Sequence, residues 1–232
     1  MNCRICGTKS NHFFDDGRSF FKCPFCSLIF TKSIIDTTST DQHYKSQWEN
    51  QSESFWNKNV DVFLSIVQRY NNPRKILDFG SGSGGLTAGL QKRGFDTTPL
   101  EPMIHGYLKD KNFGEKFDVV VALEVIEHLP NVRDELHEIE KVLASGGIML
   151  FTTLLTNSFI NTQAEKQYFK NWVYKDDQTH VNFFCNKTIS VIADLGNYDI
   201  DIFGNNVFVI RRQAQASIMR EGEVYPFDSL AA

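Results

Sequence analysis

Long apolar runs are missing from this sequence. No stretch approaches the roughly 20 residues that span a bilayer, and the opening Met-Asn-Cys-Arg-Ile-Cys lacks the charged-then-apolar layout of a signal peptide. A surplus of positive charge is missing as well. The chain has 24 Lys and Arg against 28 Asp and Glu, a net charge of -4, so no global field draws it to nucleic acid or to an anionic membrane. Residues 1–40 hold five Lys/Arg against three Asp/Glu, a weak excess for following a phosphate backbone. Internal repeats are absent. With 41% hydrophobic and 22% charged residues over 232 positions, the composition argues against disorder and suits one core with a small appendage. These absences imply a cytoplasmic protein with neither a membrane nor a nucleic acid as its partner.

Cysteine is scarce, and what there is clusters. Cys3-x2-Cys6 and Cys23-x2-Cys26 are separated by sixteen residues, and in a reducing compartment that spacing indicates zinc rather than disulfides. Each pair presents two thiolates to one tetrahedral ion, and a hairpin through Asn11-His-Phe-Phe and Ser19-Phe-Phe-Lys22 brings the second pair back. Four ligands close such a site, which makes it structural. Residues 1–35 are therefore read as a zinc ribbon whose folding free energy comes from the metal. Cys185, without a partner in sequence, is read as a small buried hydrophobe.

Residues 36–73 are read as a linker, polar from Thr31 to Ser54 with Tyr44 and Trp48 as anchors, and a helix carrying Trp56, Val60, Phe63, Val67 and Tyr70 at helical spacing. Strands are expected at Lys75–Phe79, Asp96–Glu101, Phe117–Val125 and Ile148–Thr153. Helices are expected after Gly85 and over 132–143, the latter stopped by Gly146-Gly147. A helix over 186–196 and a closing hairpin, 198–203 with 207–211, complete residues 74–212, and residues 213–232 form a polar tail. Strands alternating with helices specify a doubly wound, mostly parallel α/β sheet.

Gly80, Gly82 and Gly85 satisfy G-x-G-x-x-G, with Glu101 about twenty residues on, where a ribose-binding acid is expected. Alone the pattern is weak. Asp78 lies two residues before the first glycine, and a carboxylate facing the loop repels a pyrophosphate by roughly 1–4 kcal/mol in a partly screened site. It attracts a cofactor bearing ammonium and sulfonium groups, such as S-adenosylmethionine (SAM).

Ile76-Leu-Asp-Phe-Gly-Ser-Gly-Ser-Gly84 resembles the first motif of the class I SAM-dependent methyltransferases. Phe117-Asp-Val-Val, Glu124-Val-Ile-Glu-His128 and Val142-Leu-Ala-Ser-Gly-Gly147 match later segments in order, so the resemblance runs to about Arg211. It implies a seven-stranded-type methyltransferase sheet and assigns Asp78, Gly80, Ser81, Gly82, Gly84, Glu101 and Glu124 to the cofactor. One departure stands out: only fifteen residues separate Glu101 from Phe117, so the third strand is expected to be short or missing. Asp110 and Phe113 are the residues available to replace what flanks the adenine.

Glu127 and His128 lie on the turn after Glu124, at the carboxyl edge of the sheet where such folds bind ligands. In the plain reading Glu127 caps the following helix and His128 packs over the site; in the chemical one His128 removes a proton from a hydroxyl acceptor. The run Glu124-x2-Glu127-His128 also resembles the metal-binding segment of small-RNA 2'-O-methyltransferases and of ubiquinone-pathway O-methyltransferases. That resemblance implies a divalent ion, Mg²⁺ or another, on Glu124, Glu127, His128 and a later histidine, for which His180 is the candidate. Residues 156–184 are an aromatic-rich insertion, read either as a lid over an acceptor pocket or as a cap extending the core. Asp177-Gln-Thr-His180-Val-Asn-Phe-Phe184 resembles a segment of the ribbon-bearing branch of the family, which acts on sugars and other small metabolites. The leading expectation is methyl transfer, by O-methylation, to a small hydroxylated acceptor. An RNA acceptor read by the ribbon, and a non-catalytic partner-binding module, are the alternatives.

Overall fold

A computed structural model describes residues 1–32 and 51–213; the anchors Tyr44 and Trp48 and the polar tail from residue 214 lie outside the described residues. The central sheet is built from β4 (Lys75–Phe79), β5 (Asp96–Leu100), β6 (Phe117–Leu123), β7 (Leu143–Thr152), β9 (Tyr198–Phe203) and β10 (Val207–Arg212), in the order β5-β4-β6-β7-β10-β9. The first four strands are parallel, and β10 runs antiparallel to both β7 and β9. Between Glu101 and Phe117 the chain makes α3 (Pro102–His105) and a 3-10 turn at Leu108–Asp110, with no third strand. Phe113 packs its ring against Phe117, 5.0 Å between centroids, and so belongs to the core.

Alternation explains the two faces. Val119, Val121, Ile148 and Leu150 point to one side, under α1 (Glu53–Val67) and α2 (Gly85–Lys92). Val120, Ala122, Met149 and Phe151 point to the other, under α4 (Val132–Val142) and α6 (Asn186–Gly196). Both sets are fully buried, as expected for central parallel strands, and each such valine contributes about 1.5–3 kcal/mol on burial. Gly85, the third glycine of the loop pattern, serves packing instead, because a Cβ there would lie 2.1 Å from Trp56 Nε1 and its absence lets α1 cross α2 closely. β7 starts at Leu143, earlier than expected. Gly146, at φ +75°, takes up a bulge, and pairing with β6 resumes at Ile148 opposite Val119.

The N-terminal hairpin, β1 (Asn11–Asp15) and β2 (Ser19–Lys22), continues into β3 (Ile29–Thr31), and β3 pairs with β8 (Asn182–Phe183). This second sheet, β1-β2-β3-β8, thus takes its last strand from the insertion. Insertion aromatics Phe159, Phe169 and Phe183 pack with Phe13, Phe20 and Ile29 of the ribbon, and Trp172 lies against them. These rings fill a seam between two chain segments; α5 (Glu165–Lys170) supplies Phe169. Ribbon residues Cys3, Ile5, Leu28 and Phe30 join the main core. The ribbon therefore buries apolar surface against the rest of the chain, a source of folding free energy independent of any metal. No helix among the described residues is long and apolar enough to cross a membrane.

Candidate active site

β4 delivers Asp78 to the carboxyl edge, where one of its carboxylate oxygens turns to the helix that follows the glycine loop. Asp78 Oδ2 accepts from Thr87 N (3.1 Å) and Thr87 Oγ1 (2.6 Å) in the first turn of α2. The protein's own anion thereby takes the helix end that a pyrophosphate would need. Burial lifts this carboxyl to about 6, against the pull of the Thr87 bonds. Gly80 has φ +76°, and a Cβ built on it would fall 2.4 Å from Val125 Cγ2, so only glycine fits between the loop and the turn after β6. Gly82 and Gly84 also have positive φ. Gly82 N donates to Glu101 Oε2 (3.1 Å), Met103 N donates to Oε1 (3.3 Å), and Ser81 Oγ is buried with no partner. Loop, ribose-type acid and an unsatisfied hydroxyl thus share one edge of the sheet.

At the end of β6, Glu124 adopts φ +52°, a left-handed conformation costing a non-glycine residue about 1–3 kcal/mol. It swings the chain into the 3-10 turn Ile126–His128. Glu124 N and Oε1 bond Thr152 Oγ1 (2.9 and 2.8 Å), and Oε2 accepts from the Tyr174 hydroxyl (2.8 Å). Glu127 is fully buried. Its Oε1 accepts from the same Tyr174 hydroxyl (2.5 Å), and its Oε2 has no hydrogen-bond partner. It does not cap α4; Asn131 stands at that position. One O–H cannot serve two carboxylates at once, so the pair calls for a proton or a cation. Burial and the neighbouring Glu124 push the Glu127 carboxyl well above the usual range, and burial with Glu127 and Glu124 pushes the Tyr174 phenol up.

His180 completes the group from the insertion. Its Nδ1–H donates to Tyr174 O (2.7 Å), and His128 Nδ1–H donates to Thr179 O (3.1 Å), which puts the lone pair of each ring on Nε2. The rings lie 4.7 Å apart. Burial holds His180 below its ordinary pKa, opposed by Asp177, so the imidazole is neutral at pH 7 and its 4.0 Å approach to Glu127 Oε1 is not an ion pair. One ligand atom from each of Glu127, His128 and His180 lies within 4.8 Å of the others. Glu124 is turned to Thr152 and Tyr174 and stands outside that group. A buried carboxylate with one oxygen unpartnered, close to two histidines anchored through Nδ1, is a donor set that could hold a divalent ion. Sequence reasoning missed Tyr174: it sits in an aromatic run, and nothing in the spacing separates it from its neighbours.

The four cysteines converge, with one sulfur from each within 4.8 Å of the rest. Cys3 and Cys26 Sγ are 3.5 Å apart, Cys6 and Cys23 Sγ 3.4 Å, both far beyond a disulfide bond. Each Cys-x2-Cys turn ends in a left-handed residue, Gly7 at φ +72° and Ser27 at φ +63°, which points both thiols of a pair inward. The set fits a tetrahedral zinc, whose bonds of about 2.3 Å hold sulfurs slightly under 4 Å apart.

Sheet order, glycine loop and carboxyl-edge acids all agree with the methyltransferase-domain family, whose profile matches residues 48–201. This chain belongs to that family. It is a SAM-dependent methyltransferase. Similar curated proteins include the ubiquinone biosynthesis O-methyltransferase of Rickettsia canadensis (strain McKiel), 23% identical over 198 residues covering 68% of this chain and 84% of that protein. The protein of the same name from Rickettsia bellii (strain OSU 85-389) is 22% identical over 203 residues, 71% of this chain and 84% of its own length. Among solved structures, the plantazolicin methyltransferase BpumL in complex with SAH superposes with a TM-score of 0.55 at 15% identity, covering 76% of this chain and 92% of that one. At that identity the likeness speaks to the fold.

Proposed function

We propose that this methyltransferase carries out O-methylation of a small hydroxylated acceptor, a sugar or a biosynthetic intermediate, beside a divalent ion held by Glu127, His128 and His180. The observation that carries this reading is the buried Glu127 carboxylate, one oxygen of which has no protein partner and one of which lies within 4.8 Å of ring nitrogens of two Nδ1-anchored histidines. The O-methyltransferase names of the relatives support it. When bound, a divalent ion lowers the pKa of a coordinated hydroxyl. Tyr174 orients Glu127 and Glu124, and His128 and His180 offer Nε2 toward the same site. Asp78, Gly80, Ser81, Gly82, Gly84 and Glu101 bind SAM, and Cys3, Cys6, Cys23 and Cys26 hold a structural zinc. The RNA-reader alternative finds no support, because the ribbon arginines Arg4 and Arg18 bond carbonyl groups of their own chain.

Labelled SAM, supplied with small-metabolite and RNA fractions separately, tests the proposal. Label is expected in the metabolite fraction, sensitive to a chelator that leaves the zinc in place, and lost in Glu127→Ala and His180→Ala. Label confined to RNA overturns the acceptor class, and label indifferent to chelation overturns the ion.

A further inference from the structure

We propose that the four-cysteine ribbon is a positioning module for the methyl-transfer site, with Arg18 as the positioning residue that sets His180; the inference rests on reading His180 as a site residue. The turn between β1 and β2, Asp16-Gly17-Arg18, reaches the segment that carries His180. Arg18 Nη1 donates to Gln178 O (3.0 Å) and His180 O (2.9 Å), while Nη2 donates to Lys175 O (2.5 Å) and Asp177 O (2.7 Å). Four carbonyls from six consecutive residues converge on one guanidinium. Only a planar fork with several donors satisfies them together, and lysine, a point charge, does not.

The same turn grips the segment a second time. Asp16 Oδ2 accepts from Lys175 Nζ (2.7 Å), and Lys175 is itself buried, with Asp176 as its other partner. Opposite charges at Asp16 and Arg18 thus hold the start and the whole inner curve of residues 175–180. From the first Cys-x2-Cys turn, Arg4 Nη1 donates to Val181 O (3.2 Å) and Asn182 Oδ1 (3.0 Å), and the Asn182 amide donates to Leu129 O (2.7 Å), next to His128. Val181 N closes the circuit on Glu127 O (2.9 Å). Since His180 Nδ1 is anchored on Tyr174 O, and Tyr174 bonds Glu127, the ring's place follows from the segment's backbone. The ribbon supplies what an isolated loop lacks: fixed partners for carbonyls that would otherwise bond water in many conformations.

The test uses full-length Arg18→Ala and Arg18→Lys. Hydrogen exchange is read at residues 175–182 and at the glycine loop, the His180 imidazole by ¹⁵N chemical shift, Mn²⁺ affinity by electron paramagnetic resonance, and SAH affinity by calorimetry. In Arg18→Ala, exchange over 175–182 is expected to rise at least about tenfold, Mn²⁺ affinity to fall about 10–100-fold, and SAH affinity to stay within about twofold. Arg18→Lys is expected to fall between wild type and alanine, and it carries the test alone if the alanine variant does not fold. Wild-type exchange and His180 shift in the variants overturn the proposal, as does SAH affinity falling in step with the rest. Failure of the wild type to bind Mn²⁺ refutes the ion instead, leaving exchange and the ¹⁵N shift to decide the positioning role.

Discussion

Between Asp78 and Glu101 the chain builds the proposed cofactor half of the site from one strand-helix-strand unit, whereas the proposed acceptor half gathers Glu124 to His128 after β6, Tyr174 and His180 from the insertion, and its supports from the ribbon. The first half is held by bonds over short separations, such as Asp78 to Thr87 and Glu101 to Gly82. The second depends on bonds spanning about fifty residues, Tyr174 to Glu127 and His128 to Thr179, and on Arg18 bonds spanning about 160. Local construction makes the cofactor half robust to change elsewhere. Long-range construction makes the other half sensitive to the ribbon, and so adjustable without disturbing the cofactor.

The largest break is expected at Gly80, where the halves touch through Val125. In Gly80→Ala the new methyl meets Val125 at a φ that L-residues resist, a backbone cost alone of about 1–2 kcal/mol. SAH affinity measured by calorimetry is expected to fall at least about tenfold, and Mn²⁺ affinity with it, because Val125 adjoins the turn bearing Glu127. Glu127→Gln separates the halves: kcat is expected to drop about 10–100-fold in the labelled-SAM assay while SAH affinity stays near wild type. Matching losses in both would show that the two halves are one. Tyr174→Phe, which removes one charge-assisted hydrogen bond, is expected to slow transfer about tenfold in the same assay, and an unchanged rate would remove Tyr174 from the site.

The smallest effect is a pH dependence confined to the cofactor half. Folding lifts Asp78 to about 6, above the ordinary carboxyl value near 3.9, so between those limits the folded protein keeps a proton that the unfolded chain has released. Its contribution to apoprotein stability is present in full below about pH 4 and is lost as pH rises through about 6. Cofactor binding runs the other way: SAM carries a sulfonium and SAH does not, so the preference for SAM over SAH is expected to grow a few-fold from pH 5 to 7.5 and to flatten in Asp78→Asn. Calorimetry with both ligands checks the affinities, and melting of the apoprotein checks the stability.

Periodicity and punctuation made most of the fold legible. β6 and β7 read as apolar runs, α4 as a helical stripe, and the gap before Phe117 as too short for another strand, because each of those signals is local. The glycine loop was legible for the same reason, although the sequence alone did not show that one oxygen of Asp78 bonds Thr87; a buried carboxylate seeks the nearest donors. The insertion was legible as aromatic but not as to what its rings cover. Phe159, Phe169 and Phe183 pack on the ribbon because two small apolar surfaces bury one another.

What the sequence by itself determined is the class of chemistry: the glycine spacing and flanking acids specify the methyl-donor fold, and two Cys-x2-Cys pairs specify a compact thiolate cluster. Both are written in residues close together, where backbone geometry alone brings the side chains into register. Only the tertiary structure decided that Glu127 is buried with one oxygen unpartnered, that His180 and Tyr174 join it, and that Arg18 holds them there. Those contacts bridge long stretches of chain, and no local preference encodes the packing of the ribbon on the insertion that closes them.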